Sequence, residues 1–475
     1  MTIVDPTRAE WQRDSALVGG RWVAVAETEA VENPATAELF GRAARCDAVL
    51  VDAAVRAARA AFDGWSTRDR ADRLALLRRW QAETEARRDL MVEATVLEVG
   101  APVTVAREAH VDLALDIIRT TLDELEGPEP IERIGNSLVV REPVGVVASI
   151  TPWNYPLYQL VLKVVAAIAA GCTVVAKPAE LTPLSAYLLA DAAVAAGLPD
   201  GVFNLVPGRG REVGQVLAEH EEVDLVSFTG STGVGAGVAA TAATSIKRVC
   251  LELGGKSASV VLDGADFETA VRTTVDMAML NTGQTCSAWT RLLVPAARLD
   301  EAVELAAAHA GALVVGDPTA EETDLGPLAS AQQLATVRSM VARAREAGAR
   351  ILGDRPVPEQ GHFHPPLVVA DVDASDEIVQ DEVFGPVLVV LGHAGTDDAV
   401  RLANDSDYGL AGAVWAADTE AGVAVARRLR TGQVDVNGAD FNVRAPFGGF
   451  KKSGYGRELG AFGIEEFTEI KSIQI

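Results

Sequence analysis

The chain is poor in the residues on which several kinds of function depend. Its 475 residues include four cysteines, Cys46, Cys172, Cys250 and Cys286. No two have Cys-x-x-Cys spacing, and four in so long a chain are too sparse for a disulfide framework. Six histidines without a His-Glu-x-x-His pattern argue against a zinc site, so no metal is expected. Basic residues are outnumbered, 42 Lys and Arg against 67 Asp and Glu, for a formal charge of −25. Acidity of that size argues against nucleic acid and anionic membranes as partners. Long apolar runs are missing as well. The uncharged stretch between Glu142 and Lys163 could span a bilayer, but Pro143, Pro152, Asn154 and Pro156 break it. The stretch between Lys163 and Lys177 is too short and carries Gly171. The start, Met1-Thr2-Ile3-Val4-Asp5-Pro6-Thr7, lacks the basic-then-apolar run of a signal peptide. A reduced, cytoplasmic setting is the expectation.

What the chain does have is apolar content, 49% of residues, enough to fill the cores of two or three domains. Residues 1–45 read as short strands and turns, with a hairpin over 17–23 turning on Gly19-Gly20 and turn chemistry at Asn33-Pro34-Ala35-Thr36. From 48 to 122 the period is helical, broken at Gly100-Ala101-Pro102, with a third helix over 103–122. The break Glu126-Gly127-Pro128-Glu129-Pro130 precedes two strand-like pieces, 131–134 and 137–141, that would suit an oligomer contact. Then apolar runs at 145–150, 173–177, 202–206, 224–229 and 248–253 alternate with helices at about 157–170, 182–197, 210–219 and 232–243. That alternation predicts an α/β fold with a parallel sheet. A second α/β unit is expected over about 256–440, with strands at 258–262, 291–294, 366–369, 387–391, 412–416 and 433–437 and helices at 266–280, 298–312 and 329–347. The last ten residues, 466–475, alternate like a terminal strand.

Parallel sheets bind ligands at the carboxyl ends of their strands, and the informative polar residues stand there. Gly230-Ser231-Thr232-Gly233-Val234-Gly235 opens a helix, whose free N–H groups suit a pyrophosphate. It lacks the usual Gly-x-Gly-x-x-Gly order. Lys177 and Glu180 could share the hydroxyls of a ribose, or form a plain surface pair. If Glu180 meets a 2′-hydroxyl it would repel a 2′-phosphate, favouring NAD over NADP. Glu252 ends an apolar strand, where a carboxylate is either paired or functional. Asn154 could hold an oxyanion or simply stabilise a turn. Cys286 lies in Asn281-Thr282-Gly283-Gln284-Thr285-Cys286-Ser287-Ala288, among small and polar residues where a thiol can be reached and can act as thiolate; a small buried hydrophobe is the alternative.

Taken together these stretches resemble the aldehyde dehydrogenase superfamily. The likeness rests on Pro152-Trp153-Asn154-Tyr155-Pro156, Lys177-Pro178-Ala179-Glu180, Phe228-Thr229-Gly230-Ser231-Thr232, Leu251-Glu252-Leu253-Gly254-Gly255-Lys256, Gly283-Gln284-Thr285-Cys286, Glu382-Val383-Phe384-Gly385-Pro386 and Pro446-Phe447-Gly448-Gly449, in the family's order. It runs nearly end to end.

The resemblance implies an NAD-binding domain of Rossmann type (1–124 and 142–251), a catalytic α/β domain (252–445) and a β oligomerisation arm (125–141 and 446–475). It implies Cys286 as nucleophile, Asn154 as oxyanion donor, Glu252 as the base that activates water, and Lys163 as a proton-relay lysine. Cofactor residues would be Ile150, Trp153, Lys177, Glu180, Gly230, Ser231, Glu382 and Phe384, with NAD as cofactor and NADP possible. Tyr155, Met279, Trp289, Phe441 and Phe447 would line the substrate tunnel, with Arg444 near its mouth hinting at an acidic aldehyde. Met279 stands where the family often has an aromatic residue, Trp289 is bulkier than usual, and Leu162 replaces a common tryptophan. The expected partner is a small aldehyde, aliphatic or aromatic, and the expected assembly a homodimer or homotetramer. The alternatives are a CoA-acylating dehydrogenase, disfavoured by the presence of Glu252, and a catalytically silent NAD-binding structural protein.

Overall fold

In the computed structural model, residues 4–127 and 131–475 are described. Met1, Thr2 and Ile3 of the leader reading, and Pro128, Glu129 and Pro130 of the proline break, lie outside the described residues. Gly19 and Gly20 take φ of +56° and +76°, the left-handed pair that a two-residue hairpin turn requires. They join β1 (Ser15–Val18) to β2 (Arg21–Ala24). A second hairpin pairs β3 (Thr28–Asn33) with β4 (Glu38–Ala44), and Asn33 Oδ1 accepts from the Ala35 N–H at 2.9 Å to shape its turn.

The helical block follows as Ala48–Ser66, Arg70–Glu85 and Arg88–Val99. Asp47 and Asp69 cap the first two, accepting from backbone N–H groups that a helix start leaves free. The stretch after Pro102 is helical as expected but not uniform. Between Val103–Val105 and Leu113–Asp123, the turn Ala106–Asp112 winds as π-helix. Such turns cost regular hydrogen-bond geometry and gather at functional sites.

Two short strands, β5 (Glu132–Ile134) and β6 (Ser137–Pro143), lead into the first large sheet. Its core strands are β7 (Val146–Ile150), β8 (Thr173–Lys177), β9 (Phe203–Leu205), β10 (Leu225–Thr229) and β11 (Arg248–Glu252), parallel in the order β11-β10-β7-β8-β9. Because β7 to β10 are buried at every residue, they read as unbroken apolar runs. The chain steps one way from β7 to β9, then crosses to β10 and β11 on the other side of β7. That reversal opens a crevice beyond the strand ends. The hairpin β1–β2 joins the far edge antiparallel, at Leu17 against Leu205, an addition the sequence reading had not placed.

The second sheet comprises β12 (Ala258–Val261), β13 (Arg291–Pro295), β14 (Arg350–Leu352), β15 (Leu367–Ala370), β16 (Val387–His393), β17 (Gly412–Trp415) and β18 (Asp435–Val436), in the order β14-β15-β16-β13-β12-β17-β18. All its pairings are parallel except β14 on β15. The strand expected over 433–437 shortens to two residues, and β14 and the short helices Glu377–Gln380, Thr396–Asn404 and Thr419–Ala426 appear in addition.

Near the end, β19 (Gly454–Tyr455) returns to the first sheet and pairs with β11, setting Gly454 opposite Glu252. The last strand, β20 (Thr468–Gln474), pairs with β6 along its whole length, and β5 completes a separate three-stranded arm. Ile134, Ile470, Ile473 and Ile475 are exposed on it. All four cysteines are free. Among the described residues no helix is long and apolar enough to cross a membrane.

Candidate active site

The stretch around Cys286 is held in an unusual backbone path. After the helix Phe267–Met279, Asn281, Thr282 and Gly283 take φ of +53°, +57° and +72°. A side-chain-bearing residue pays about 1–2 kcal/mol for that conformation, so two in a row need anchorage. They have it. Asn281 Nδ2 donates to Asn154 O at 2.9 Å, and Thr282 Oγ1 to Gly326 O at 3.1 Å. Gln284 Nε2 donates to Asn281 O at 3.1 Å, and its Oε1 accepts from the Ala329 N–H at 2.9 Å. A Cβ on Gly283 would lie 2.1 Å from Gly385 O, and one on Gly255 would lie 2.4 Å from Cys286 O. The cysteine therefore sits between two close backbone approaches.

Asn154, just beyond β7, is buried and donates from Nδ2 to Gln284 O at 2.9 Å. An amide has two N–H donors, so one remains for a ligand. Cys286 is half-buried and packs against an apolar cluster that includes Tyr155, Tyr158, Phe447 and Leu459. Burial pushes its thiol up to about 12, and the charges of Glu382, Glu252 and Glu458 push the same way. Three carboxylates are thus within electrostatic reach of the sulfur. So placed, the thiol needs a base to become the attacking thiolate.

Glu252 ends β11 with both carboxylate oxygens buried and without a hydrogen-bond partner. Burial raises its pKa well above the ordinary carboxylate range, and the charge of Glu458 adds to this, against Lys163 and Arg457. A carboxyl group so placed holds a proton more readily than an exposed one, as a general base must. The tail loop roofs it, since a Cβ on Gly448 would come within 2.7 Å of Glu252 Oε1. Lys163 is fully buried and bonds Glu458 Oε1 at 2.5 Å. Glu458 was missed in the sequence reading; it is one charge in a glycine-rich tail, and only the fold brings it to Lys163.

Beyond β10, the twelve-residue helix Thr232–Ala243 begins at Ser231, which is exposed and whose side chain caps nothing. Gly230 donates its N–H to Glu252 O at 3.1 Å, tying the helix start to the base. The helix start faces a cavity of about 790 Å³ lined by Ser231, Thr232, Gly233, Glu382 and Tyr408 among others. Glu382 Oε1 accepts from the Gly255 N–H at 2.9 Å. Burial pushes its carboxyl up to about 7 against that N–H and the Lys256 charge. Trp153 meets Phe384 edge to face at 5.3 Å. Ile150, buried at the end of β7, lies opposite Lys177 in register. Lys177 Nζ bonds the exposed Glu180 at 3.1 Å; burial lowers the lysine's pKa, and Glu180 opposes this. Ser231 and Glu382 thus share one cleft, and the Lys177–Glu180 pair stands at the end of β8, with β7 between it and β10.

Residues 22–473 match the model of the aldehyde dehydrogenase family. The chain belongs to that family. It is 46% identical over 464 residues to 3-succinoylsemialdehyde-pyridine dehydrogenase of a Pseudomonas species, covering 96% of this chain and 97% of the relative. It is 40% identical to geranial dehydrogenase of Castellaniella defragrans, covering 97% and 98%. Aldehyde dehydrogenase C of Pseudomonas syringae, solved as a variant with NAD+ and octanal, superposes with a TM-score of 0.96 at 44% identity, covering 100% of this chain and 98% of that one. The chain is accordingly an enzyme of aldehyde oxidation.

In this aldehyde dehydrogenase the expected tunnel residues divide. Tyr155 bonds Thr285 Oγ1 through its hydroxyl at 2.8 Å, next to Cys286. Phe447 is buried and meets the exposed Phe441 edge to face at 6.4 Å. Met279 and Trp289, however, lie in the hydrophobic core of the second sheet, 2% and 3% exposed, where Trp289 packs edge-on against Trp415. Both belong to the packing of the second sheet. Arg444 is held by Asp123 at 2.8 Å and Glu124 at 3.1 Å, the surface pairing that a lone arginine more often makes.

Proposed function

We propose that this enzyme converts a neutral, largely apolar aldehyde to its carboxylic acid, with NAD as cofactor. The observation that carries the reading is the unpartnered, buried carboxylate of Glu252 within electrostatic reach of Cys286. Cys286 Sγ attacks the aldehyde carbon as thiolate, its proton taken by Glu252. The resulting oxyanion accepts hydrogen bonds from the free N–H of Asn154 Nδ2 and from the Cys286 backbone N–H. As the oxyanion's electron pair re-forms the C=O bond to give a thioester, the carbon gives up its hydride, which a bound nicotinamide would accept. The buried Lys163–Glu458 pair, coupled to Glu252 by charge, gives the thiol proton a way out before water attacks. Glu252 then takes a proton from the water that attacks the thioester and returns it to the Cys286 sulfur as the acid leaves.

The residues fit the cofactor. The uncapped helix start at Gly230-Ser231 would take the pyrophosphate, Lys177 and Glu180 the adenine ribose, Glu382 the nicotinamide ribose, and Ile150, Trp153 and Phe384 the walls around it. Glu180 is exposed and ionisable, and would repel the 2′-phosphate of NADP. The first sheet, with 1–124 and 142–251, would form the cofactor domain and 252–445 the catalytic domain. The arm, with its exposed isoleucines, would join copies of the chain into a homodimer or homotetramer. A cytoplasmic setting suits the four free thiols.

The neutral substrate follows from Arg444. Its charge is held by two carboxylates at the rim, and the wall beside Cys286 is aromatic. The relatives named for a pyridine-bearing semialdehyde and for geranial, and the octanal complex, agree in class. The test is a panel of octanal, geranial and succinic semialdehyde with NAD or NADP, with NADH followed by absorbance. Octanal or geranial should exceed the acidic aldehyde at least about tenfold in kcat/KM, the low end of what one methylene brings in a hydrophobic pocket. Preference for succinic semialdehyde, or acyl-CoA formation on adding CoA, would overturn it. Cys286→Ala should abolish turnover.

A further inference from the structure

One buried carboxylate has no part in the chemistry above. Glu98 lies near the end of the helix Arg88–Val99 and is 1% exposed. A charge so buried needs partners. It finds them at the start of another helix, Leu184–Ala196. Glu98 Oε2 accepts from the Leu184 N–H at 2.8 Å. Its Oε1 accepts from the Ser185 N–H at 3.2 Å and from the Ser185 hydroxyl at 2.8 Å. Burial pushes the carboxyl up to about 7, and these three donors oppose it.

That helix has no cap of its own. A helix start leaves N–H groups free, and a Ser, Thr, Asp or Asn just ahead of it usually takes one. Here Pro183 precedes Leu184, and no side-chain cap is made. Thr182, the nearest residue of the right kind, gives its hydroxyl to Trp153 O at 3.1 Å instead. Glu98 supplies from a distant helix what the local sequence does not, and its charge suits the positive end of the helix.

The consequence lies just upstream. Only the short connection 178–183 separates β8 from Leu184, and it carries Glu180. Glu180 is exposed and bonds Lys177, at the end of β8, at 3.1 Å. The connection is thus tied to β8 at one end, to Trp153 in its middle through Thr182, and to Glu98 at the other end. Trp153 in turn meets Phe384 across the cleft. Where Glu180 stands therefore follows from where the helix start is held.

We propose that Glu98 is a positioning residue for the adenine-ribose seat: by fixing the start of Leu184–Ala196 it sets the 178–183 connection, and with it Glu180, where a ribose hydroxyl is met and a 2′-phosphate repelled. This rests on the reading of Lys177 and Glu180 as the pair that holds that ribose. Glu98 acts through the connection and meets no reacting atom.

The test is Glu98→Gln, which keeps the shape and loses the charge and one acceptor, made in the parent enzyme and in the Glu180→Ala background. In mildly alkaline buffer, kcat and KM are measured with octanal for NAD and for NADP. E98Q should raise the KM for NAD about tenfold, the scale of one hydrogen bond to a charged group, with kcat unchanged. The NAD to NADP ratio of kcat/KM should fall by the same factor, because a loosened Glu180 no longer repels the 2′-phosphate. In the E180A background E98Q should leave that ratio where E180A put it, since the group it positions is gone. Parental KM and ratio in E98Q, a loss in kcat with both unchanged, or a further fall of the ratio in E180A would each overturn the proposal. If E98Q does not fold, Ser185→Ala, which removes only the hydroxyl bond, should move KM and ratio the same way by about threefold, and parental values would overturn the proposal. A parental ratio in E180A alone would overturn the ribose reading itself, and is seen without any change at Glu98.

Discussion

Replacing Gly255 by alanine should disable the site without altering any group that reacts. The added Cβ would lie 2.4 Å from Cys286 O and 3.3 Å from Leu410 Cβ. Real Cβ contacts begin at 3.0 Å and are ordinary beyond 3.4 Å, so the Cys286 carbonyl must retreat by about 0.6–1.0 Å, in the range where misplacement of a reacting group costs about 10²-fold. There is little room to absorb the shift. The loop rests on Gly385 at Gly283 and is pinned to Ala329 through Gln284. The Cys286 N–H moves with its carbonyl, and loss of one oxyanion donor costs about 10²–10³ in turnover. The expected loss in single-turnover NADH formation is about 10²-fold, or nearly 3 kcal/mol in barrier height. NAD affinity should change far less, because alanine keeps the N–H that Glu382 accepts. Rapid-mixing absorbance with octanal measures the rate, and calorimetric titration measures the affinity. A G255A rate within threefold of the parent would refute the claim that the backbone at 286 is clamped from this side.

Glu252→Gln should lose most of the NADH burst along with turnover, because the Cys286 proton then has no base to take it; a full burst followed by a stalled acyl-enzyme, detectable by intact mass, would confine Glu252 to the water step. The raised pKa of Glu252 places its basic form above the ordinary carboxylate range, so deacylation should climb with pH along a limb that E252Q lacks, read from kcat against pH. The same shift sets a stability sign. The unfolded chain loses this proton near 4.5 and the native state only at higher pH, so ionising Glu252 subtracts stability as pH rises through that interval. E252Q should therefore melt higher than the parent in mildly alkaline buffer, by a margin that shrinks on acidification; equal Tm at every pH would contradict the burial argument. Ile470→Asp, on the exposed face of β20, should shift the enzyme towards monomer in sedimentation, and an unchanged mass would remove the arm from assembly.

The strand ends were readable in the chain because buried parallel strands leave their mark as apolar runs. The polar residues that follow β7, β8 and β10 therefore fell where the crevice is. Glu252 was legible for the same reason, a carboxylate closing an apolar strand. Counting from Cys286 measures chain, not direction, so it gave no sign that Met279 and Trp289 pack in the core of the second sheet. Three left-handed residues at 281–283 reverse the path, and Trp289 finds Trp415 from a strand more than a hundred residues later. Arg444 carries no sign in sequence of Asp123 and Glu124, which reach it from the end of a distant helix.

The strand β19 and the loop before it close over Glu252 from the last thirty-odd residues of the chain. During synthesis the thiol at 286 emerges well before this cover is made. Until the tail has left the ribosome, β11 is a bare sheet margin and Lys163 has no counter-charge in the interior. The enzyme is therefore assembled unarmed, and a segment translated about two hundred residues after Glu252 is the one that roofs its base.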